Sequence, residues 1–283
     1  MKIRTYPDAG SFLEAHLAFL EKEEAVNNLI LGLALGIKQG EAVFSKAHFW
    51  GVESDGRPLF CALQTPPRNL LVYGSPKAGE ACAGLLFEQL SAQGINVPGI
   101  LGPGALALPF TESWTRCSGR IGSVEKEMGV FQLEKVTPPE LAGGRMRPAR
   151  QEDRELLVGW MCAFHLEALG EPAEEFSRKL VEQHLGPGRF FLWENPGPVS
   201  MAAATRRTRN GITITGVYTP PQHRGNGYAS NCVAEVSRRM LGNGFRFCAL
   251  FTDLKNPTSN KIYQSIGYRK IGEFAEVKFT PAS

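Results

Sequence analysis

Several things are missing from this sequence, and each absence removes a class of function. The six cysteines stand singly at 61, 82, 117, 162, 232 and 248, with no CxxC and no Cys/His cluster at metal-ligand spacing. A zinc site, an iron–sulfur site and a disulfide framework are therefore unsupported, and a reduced chain without metal is expected. Long apolar runs are absent too. The longest, "LILGLALGI" at 29–37, is less than half of the ~20 residues that a membrane-spanning helix needs. The opening "MKIRTYPDAGSFLEAH" has no apolar leader core. A cytoplasmic protein with no membrane partner is the expectation. Charge of one sign is also in short supply. A net charge of +3 over 283 residues leaves room for an anionic ligand but does not supply the basic face that nucleic acid requires, so no nucleic-acid partner is expected.

What remains is the composition of a packed globular protein, 43% hydrophobic and 21% charged. The length suits two domains. A break in texture at "VTPPELAGG" places a linker at 136–143, between residues 1–135 and 144–283. The second half reads as strand "RMRPAR", helix "QEDRELLVGWMCAFHLEAL", helix "PAEEFSRKLVEQHL", and strands "RFFLWEN" and "GPVSMAAATRRT". Asn210-Gly211 signals a hairpin into the strand "ITITGVYT". A helix with apolar Ala229, Cys232, Val233, Val236 and Met240 follows, then strand "FRFCALFTD", a helix from Asn256, and a strand pair in "YRKIGEFAEVKF". This is a mixed α/β (α+β) pattern. The first half repeats its coarse order: two helices in 12–37, a strand meander over 48–74 with an Asp55-Gly56 turn, a helix from Gly79, and a closing strand "GVFQLEKV".

Chemistry concentrates in "QHRGNG" at 222–227, between a β-branched strand and a helix. Gly225 and Gly227 permit a sharp turn and a close approach to the backbone. The free N–H groups of a helix start attract anions. The stretch reads as an anion cradle. A dinucleotide fingerprint is incomplete, since Ser230 stands where the third glycine belongs and no ribose-binding acid sits at the expected distance. A P-loop is excluded because no Gly-Lys-Ser/Thr follows.

The loop resembles the Q/R-x-x-G-x-G/A pyrophosphate loop of the GNAT N-acetyltransferase superfamily. "NPTSNKIYQSIGY" at 256–268 resembles that family's second motif, and "RMRPARQED" at 145–153 resembles its first strand and turn. The resemblance covers roughly 144–280. "LLVYGSPKAGEA" in the first half lacks the loop's glycine spacing, its Gln and its Arg, so the implied architecture is a tandem GNAT-like pair with a degenerate N-terminal half. The resemblance implies acetyl-CoA as acyl donor. It would be bound by the main chain of Val217, Tyr218 and Thr219, by Gln222, His223, Arg224, Gly225, Asn226, Gly227, Tyr228 and Ala229, and by Asn256. Amides 224–229 would wrap the pyrophosphate. Tyr263 would sit beside the cofactor and protonate the leaving thiolate, and the Tyr218 amide would serve the carbonyl oxygen. The implied activity is transfer of acetyl to a primary amine, on a small molecule or a peptide, by direct attack in a ternary complex.

One departure bears on this. Many members carry a glutamate on the strand before the loop, where this chain offers only Thr213 and Thr215. Asp253 and the His165/Glu167 pair are possible bases. A non-catalytic acyl-CoA sensor or scaffold and a tRNA-dependent aminoacyl transferase of related fold stay open as alternatives. "TRRTRN" at 205–210 reads as a solvated hairpin tip, and His165 and His184 read as structural.

Overall fold

The protein is described by a computed structural model covering residues 1–41, 44, 46–170 and 173–281. In chain order the first half runs β1 (Lys2–Tyr6), α1 (Ala9–Leu20), α2 (Asn28–Lys38), β2 (His48–Ser54), β3 (Arg57–Gln64), β4 (Leu70–Gly74), α3 (Gly79–Ala92), β5 (Gly99–Pro103), α4 (Gly104–Ser118) and β6 (Ile121–Leu133). The second runs β7 (Arg145–Pro148), α5 (Arg154–Leu169), α6 (Glu174–Leu185), β8 (Phe190–Glu194), β9 (Pro198–Thr205), β10 (Gly211–Tyr218), α7 (Tyr228–Gly242), β11 (Phe247–Asp253), α8 (Pro257–Ser265) and β12 (Arg269–Thr280). Short 3₁₀ turns aside, both halves have the same order, β α α β β β α β α β.

Contacts divide the chain into two compact units. The first holds Met1–Val130, Thr252–Lys255 and the chain from Lys270 onward; the second holds Phe131–Phe251 and Asn256–Arg269. This grouping does not follow chain order, because β12 pairs antiparallel with β5 inside the first unit. Its strands run β1-β2-β3-β4-β5-β12-β6, with the last residues of β6, from Phe131, grouped in the second unit. One face packs Trp50, Phe60 and Val277 against Leu86, Phe110 and Trp114 of α3 and α4. The other packs Phe49 and Leu63 against Phe12, Leu13 and Leu31 of α1 and α2.

In the second unit the strands run β11-β10-β9-β8-β7. The alternation of a strand sends Leu192, Met201 and Ala203 to one face, where they meet Leu157, Val158 and Met161 of α5 and Val181 of α6. Helix α7 buries Cys232, Val233, Val236 and Met240 at helical spacing.

The structure differs from the sequence reading in several places. "YRKIGEFAEVKF" forms the single strand β12, not a pair. The reading assigned nothing to β1, β5 and α4. Strand β5 is the Gly/Pro-bounded "GILGP", and α4 carries Pro109 inside it, both of which break local patterns. The segment 134–144 has neither helix nor strand. It belongs to the second unit and is held there by Thr137 N–H to Ile266 O at 2.9 Å, Asn231 Nδ2 to Glu140 O at 2.9 Å, and Trp193 Nε1 to Gly143 O at 3.0 Å. Gly211 opens β10 rather than forming a two-residue turn. A Cβ there would lie 2.1 Å from Phe247 Cε2, so ring approach, not turn geometry, demands the glycine. Pro172, at the start of the second helix read from the sequence, lies outside the described residues.

The start of α5 is fixed by a nearly buried ion network. Arg147 donates to Asp153 through both terminal nitrogens, at 2.5 and 2.9 Å, and through Nε to Glu194 Oε1 at 2.6 Å. The Arg150 amide also donates to Asp153, at 2.7 Å. The Arg147 contacts hold the Asp153 carboxyl below its ordinary value against the opposing effect of burial. Its stabilisation is therefore complete above the unfolded value of about 3.9 and is lost as pH falls through the lower folded value. Arg147→Met leaves a buried carboxylate without its cation and should cost about 3 kcal/mol at neutral pH. Urea denaturation should show the gap from the parent protein shrinking below about pH 4; a gap independent of pH would contradict the assignment.

Candidate functional site

The cofactor and catalytic residues read from the sequence, 217–229 with Asn256 and Tyr263, fall in the second unit, on the end of β10, the loop into α7, and α8; Asp253, read as a possible base, falls in the first. Against β9, β10 pairs Thr213 with Thr205, Ile214 with Ala204 and Thr215 with Ala203, and resumes with Tyr218 opposite Met201. Three steps on β10 match two on β9, so one extra residue is accommodated at Gly216–Val217. This is a β-bulge. Gly216 takes φ +57°, which an L side chain resists. On its other edge β10 pairs with β11 only over Gly211–Thr213. Beyond that point the two strands part.

Past the bulge, the strand end is held by side chains. Ser200 donates to Tyr218 O at 3.2 Å, and Thr219 donates to Ser200 Oγ at 2.9 Å. The buried Tyr218 lies beside Trp160 of α5, with ring centroids 6.3 Å apart. Its hydroxyl points to Glu167 Oε1 at 3.4 Å. Burial pushes the phenol pKa up, and the negative Glu167 adds to the rise.

The loop then folds on itself. Residues Pro221–His223 form a 3₁₀ turn, closed by His223 N–H to Pro220 O at 2.9 Å and Arg224 N–H to Pro221 O at 3.2 Å. Gln222 is exposed in that turn, and His223 is half-buried. Asn226 Nδ2 donates to the carbonyls of His223 and Arg224, both at 3.1 Å. Gly225 and Gly227 have φ of +80° and +73°. A Cβ at Gly225 would meet open space. The amides of Gly227, Tyr228, Ala229 and Ser230 make no hydrogen bond among the described residues, and the first bond of α7 is Asn231 N–H to Gly227 O at 3.1 Å. A run of free donors at a helix start results.

Arg224 corrects the expectation. Its amide is already bound, so the donor run starts later than residue 224. Its guanidinium donates to Glu167 Oε1 and Oε2 at 2.8 and 2.7 Å and to Thr219 O at 2.9 Å, and lies over the Tyr218 ring. Arg224 therefore fastens the loop to α5 in this structure. Tyr228 accepts from Asn195 Nδ2 at 2.9 Å. Asn256 caps α8, its Oδ1 accepting from Ser259 N–H at 3.0 Å. Tyr263 is buried in α8 against Tyr268, 6.0 Å between centroids, and its hydroxyl makes no hydrogen bond among the described residues. Burial pushes its pKa up to about 12. His165 is buried against Ser177 at 2.8 Å, a structural role.

Three contributors escaped the sequence reading: Ser200, Trp160 and Asn231. Trp160 and Glu167 are seven residues apart on α5, the spacing that places both on one face. Asn231 Nδ2 bridges Gly227 O at 3.0 Å and Glu140 O at 2.9 Å, joining the 134–144 segment to the loop.

Residues 194–277 match the family model of FR47-like proteins. A GCN5-related N-acetyltransferase from Sphaerobacter thermophilus aligns over 100% of this chain and 96% of its own at 16% identity, TM-score 0.66. A GNAT-family acetyltransferase from Colwellia psychrerythraea aligns over 99% of both chains at 16% identity, TM-score 0.58. A tandem GNAT protein from the clavulanic acid biosynthesis pathway aligns over 100% of both at 13% identity, TM-score 0.59. The fold is that of the GNAT superfamily. Among curated proteins none matches by sequence. Among the described residues, no cluster of His, Cys, Asp or Glu is arranged to hold a metal ion, and no helix is long and apolar enough to cross a membrane.

The junction of the segment and the glycine loop is testable. Asn231→Ala takes the side-chain donor from Glu140 O at a site 3% exposed, while Gly227 O keeps the backbone N–H of residue 231, and should cost about 1 kcal/mol. Limited proteolysis should cut within 134–144 faster than in the parent. Unchanged cutting would show that the segment is held without this residue.

Proposed function

We propose that the second unit binds acetyl-CoA and transfers its acetyl group to a primary amine, on a small molecule or a peptide, by direct attack in a ternary complex. The observation that carries this reading is the conjunction at one strand end: β10 parted from β11, followed by free helix-start amides at Gly227–Ser230. The residues fit the donor molecule. A diphosphate suits amides at a helix start reached over glycines at positive φ. The parted edge of Val217–Thr219 offers main chain to an extended amide-bearing arm. Acetyl-CoA would supply the acetyl group as a thioester, whose departing sulfur needs a proton.

Tyr263 is assigned that proton. Burial keeps the phenol protonated far above neutral pH, and its hydroxyl has no competing partner among the described residues. Gln222, His223 and Asn226 shape the loop, and Asn256 caps α8. The Tyr218 amide is assigned to the acetyl oxygen. Glu167 shares both oxygens with Arg224, so its role is to fix the loop against α5. The tandem arrangement and a cytoplasmic setting belong to the same proposal. A second reading, an acyl-CoA sensor without turnover, is favoured by β10 itself, which carries Thr213 and Thr215 and no carboxylate.

Gly227→Glu places an anion where the diphosphate would sit and forces a side chain into φ +73°. Acetyl-CoA affinity by calorimetry should fall by about 100-fold or more; unchanged affinity would refute the cradle. Tyr263→Phe keeps ring and packing, so affinity and melting temperature should hold while thiol release with an amine panel falls about 100-fold. Turnover unchanged at saturation would make the tyrosine core filler. Binding without thiol release from any amine in the parent would favour the sensor.

A further inference from the structure

A second cleft lies in the same unit at the far end of α7. It has a volume of about 380 Å³ and draws on the start of β10, the end of β9, the last turn of α7 and the loop before β8. Helix α7 has 15 residues, so about 22 Å of helix separates this cleft from the amides at Gly227. It is not part of the acetyl-CoA site proposed above and does not depend on it.

Three arginines, Arg189, Arg207 and Arg239, line the cleft, and among the described residues no acidic one does. Arg239 lies over the Phe191 ring at 5.6 Å and Arg207 over Phe245 at 5.3 Å. Neither has a carboxylate within ion-pair distance among the described residues, whereas Arg238 beside them is paired with Glu235. A guanidinium laid on a ring keeps its planar fork of donors for an oxyanion. Thr205 adds an independent sign. It lines the cleft at 4% exposure, and its Oγ1 has no hydrogen-bond partner among the described residues, a condition that costs free energy unless something fills it. The backbone beside it is strained, with Arg206 at φ +45°. Phe191, Ile212 and Met240 supply apolar walls. The volume is within the range of small-molecule sites.

We propose that this cleft binds a small organic oxyanion, a carboxylate or phosphate monoester on a compact apolar body. Arg207 and Arg239 take the charged head, and the Thr205 hydroxyl donates to it. This gives the "TRRTRN" hairpin a ligand-binding role in place of a solvated one.

The test uses the full chain and two probes, phenyl phosphate and benzoate, titrated at low ionic strength by calorimetry and by amide NMR. At least one should bind saturably and shift the amides of Thr205 and Arg207; which one binds identifies the head group. The Arg207→Gln/Arg239→Gln double variant should weaken that probe at least tenfold. Arg238→Gln, on the same helix turn, should leave it unchanged. Neither probe binding the parent, equal affinity in the double variant, or an equal loss in Arg238→Gln would overturn the proposal.

Discussion

Strand β10 stays with β11 for three residue pairs and then leaves it. The rest of the site depends on that parting. A strand that kept its partner would have no open edge, and its next turn would be free to close anywhere. Here the bulge at Gly216–Val217 adds a residue on the β9 side and increases the local twist. The strand end is thus aimed away from the sheet while β9 still carries it. Ser200 and Thr219 secure the last carbonyl, so the exposed edge is ordered rather than frayed.

The loop inherits its position from this end. Arg224 reaches back to Thr219 O and across to Glu167, tying the turn to the strand it left and to α5. That pair is half-exposed, so its share of global stability is small, under about 1 kcal/mol. Its effect is local, on where the glycines and the start of α7 sit. From the other side, Asn231 fixes Gly227 O and draws in Glu140. Free amides at a helix start are common. Free amides held between two anchored flanks, at the mouth of a parted strand pair, have the pre-organisation that an anion site requires.

How much of this could be read in the sequence followed from how local each feature is. The glycine loop, the Asn256 cap and the helix from Tyr228 are short-range patterns, and each was legible. Arg224 was not, because its partner Glu167 is 57 residues away and only tertiary structure brings them together. Gly211 was legible as a hairpin residue for the wrong reason, since Phe247 comes against it from a later strand. Pro109 concealed α4, and nothing in a linear pattern could show that β12 pairs with β5. The repeated element order of the two halves was visible only coarsely, because the first half lacks the glycine loop that makes the second distinctive.

The central claim is that the amides of Gly227–Ser230 hold the diphosphate of acetyl-CoA. Amide NMR of the full chain with and without acetyl-CoA tests it most directly. The account predicts large downfield shifts and slowed exchange confined to Gly227–Ser230 and the edge at Val217–Thr219. Binding that leaves those amides unmoved, or no binding at all, would contradict it.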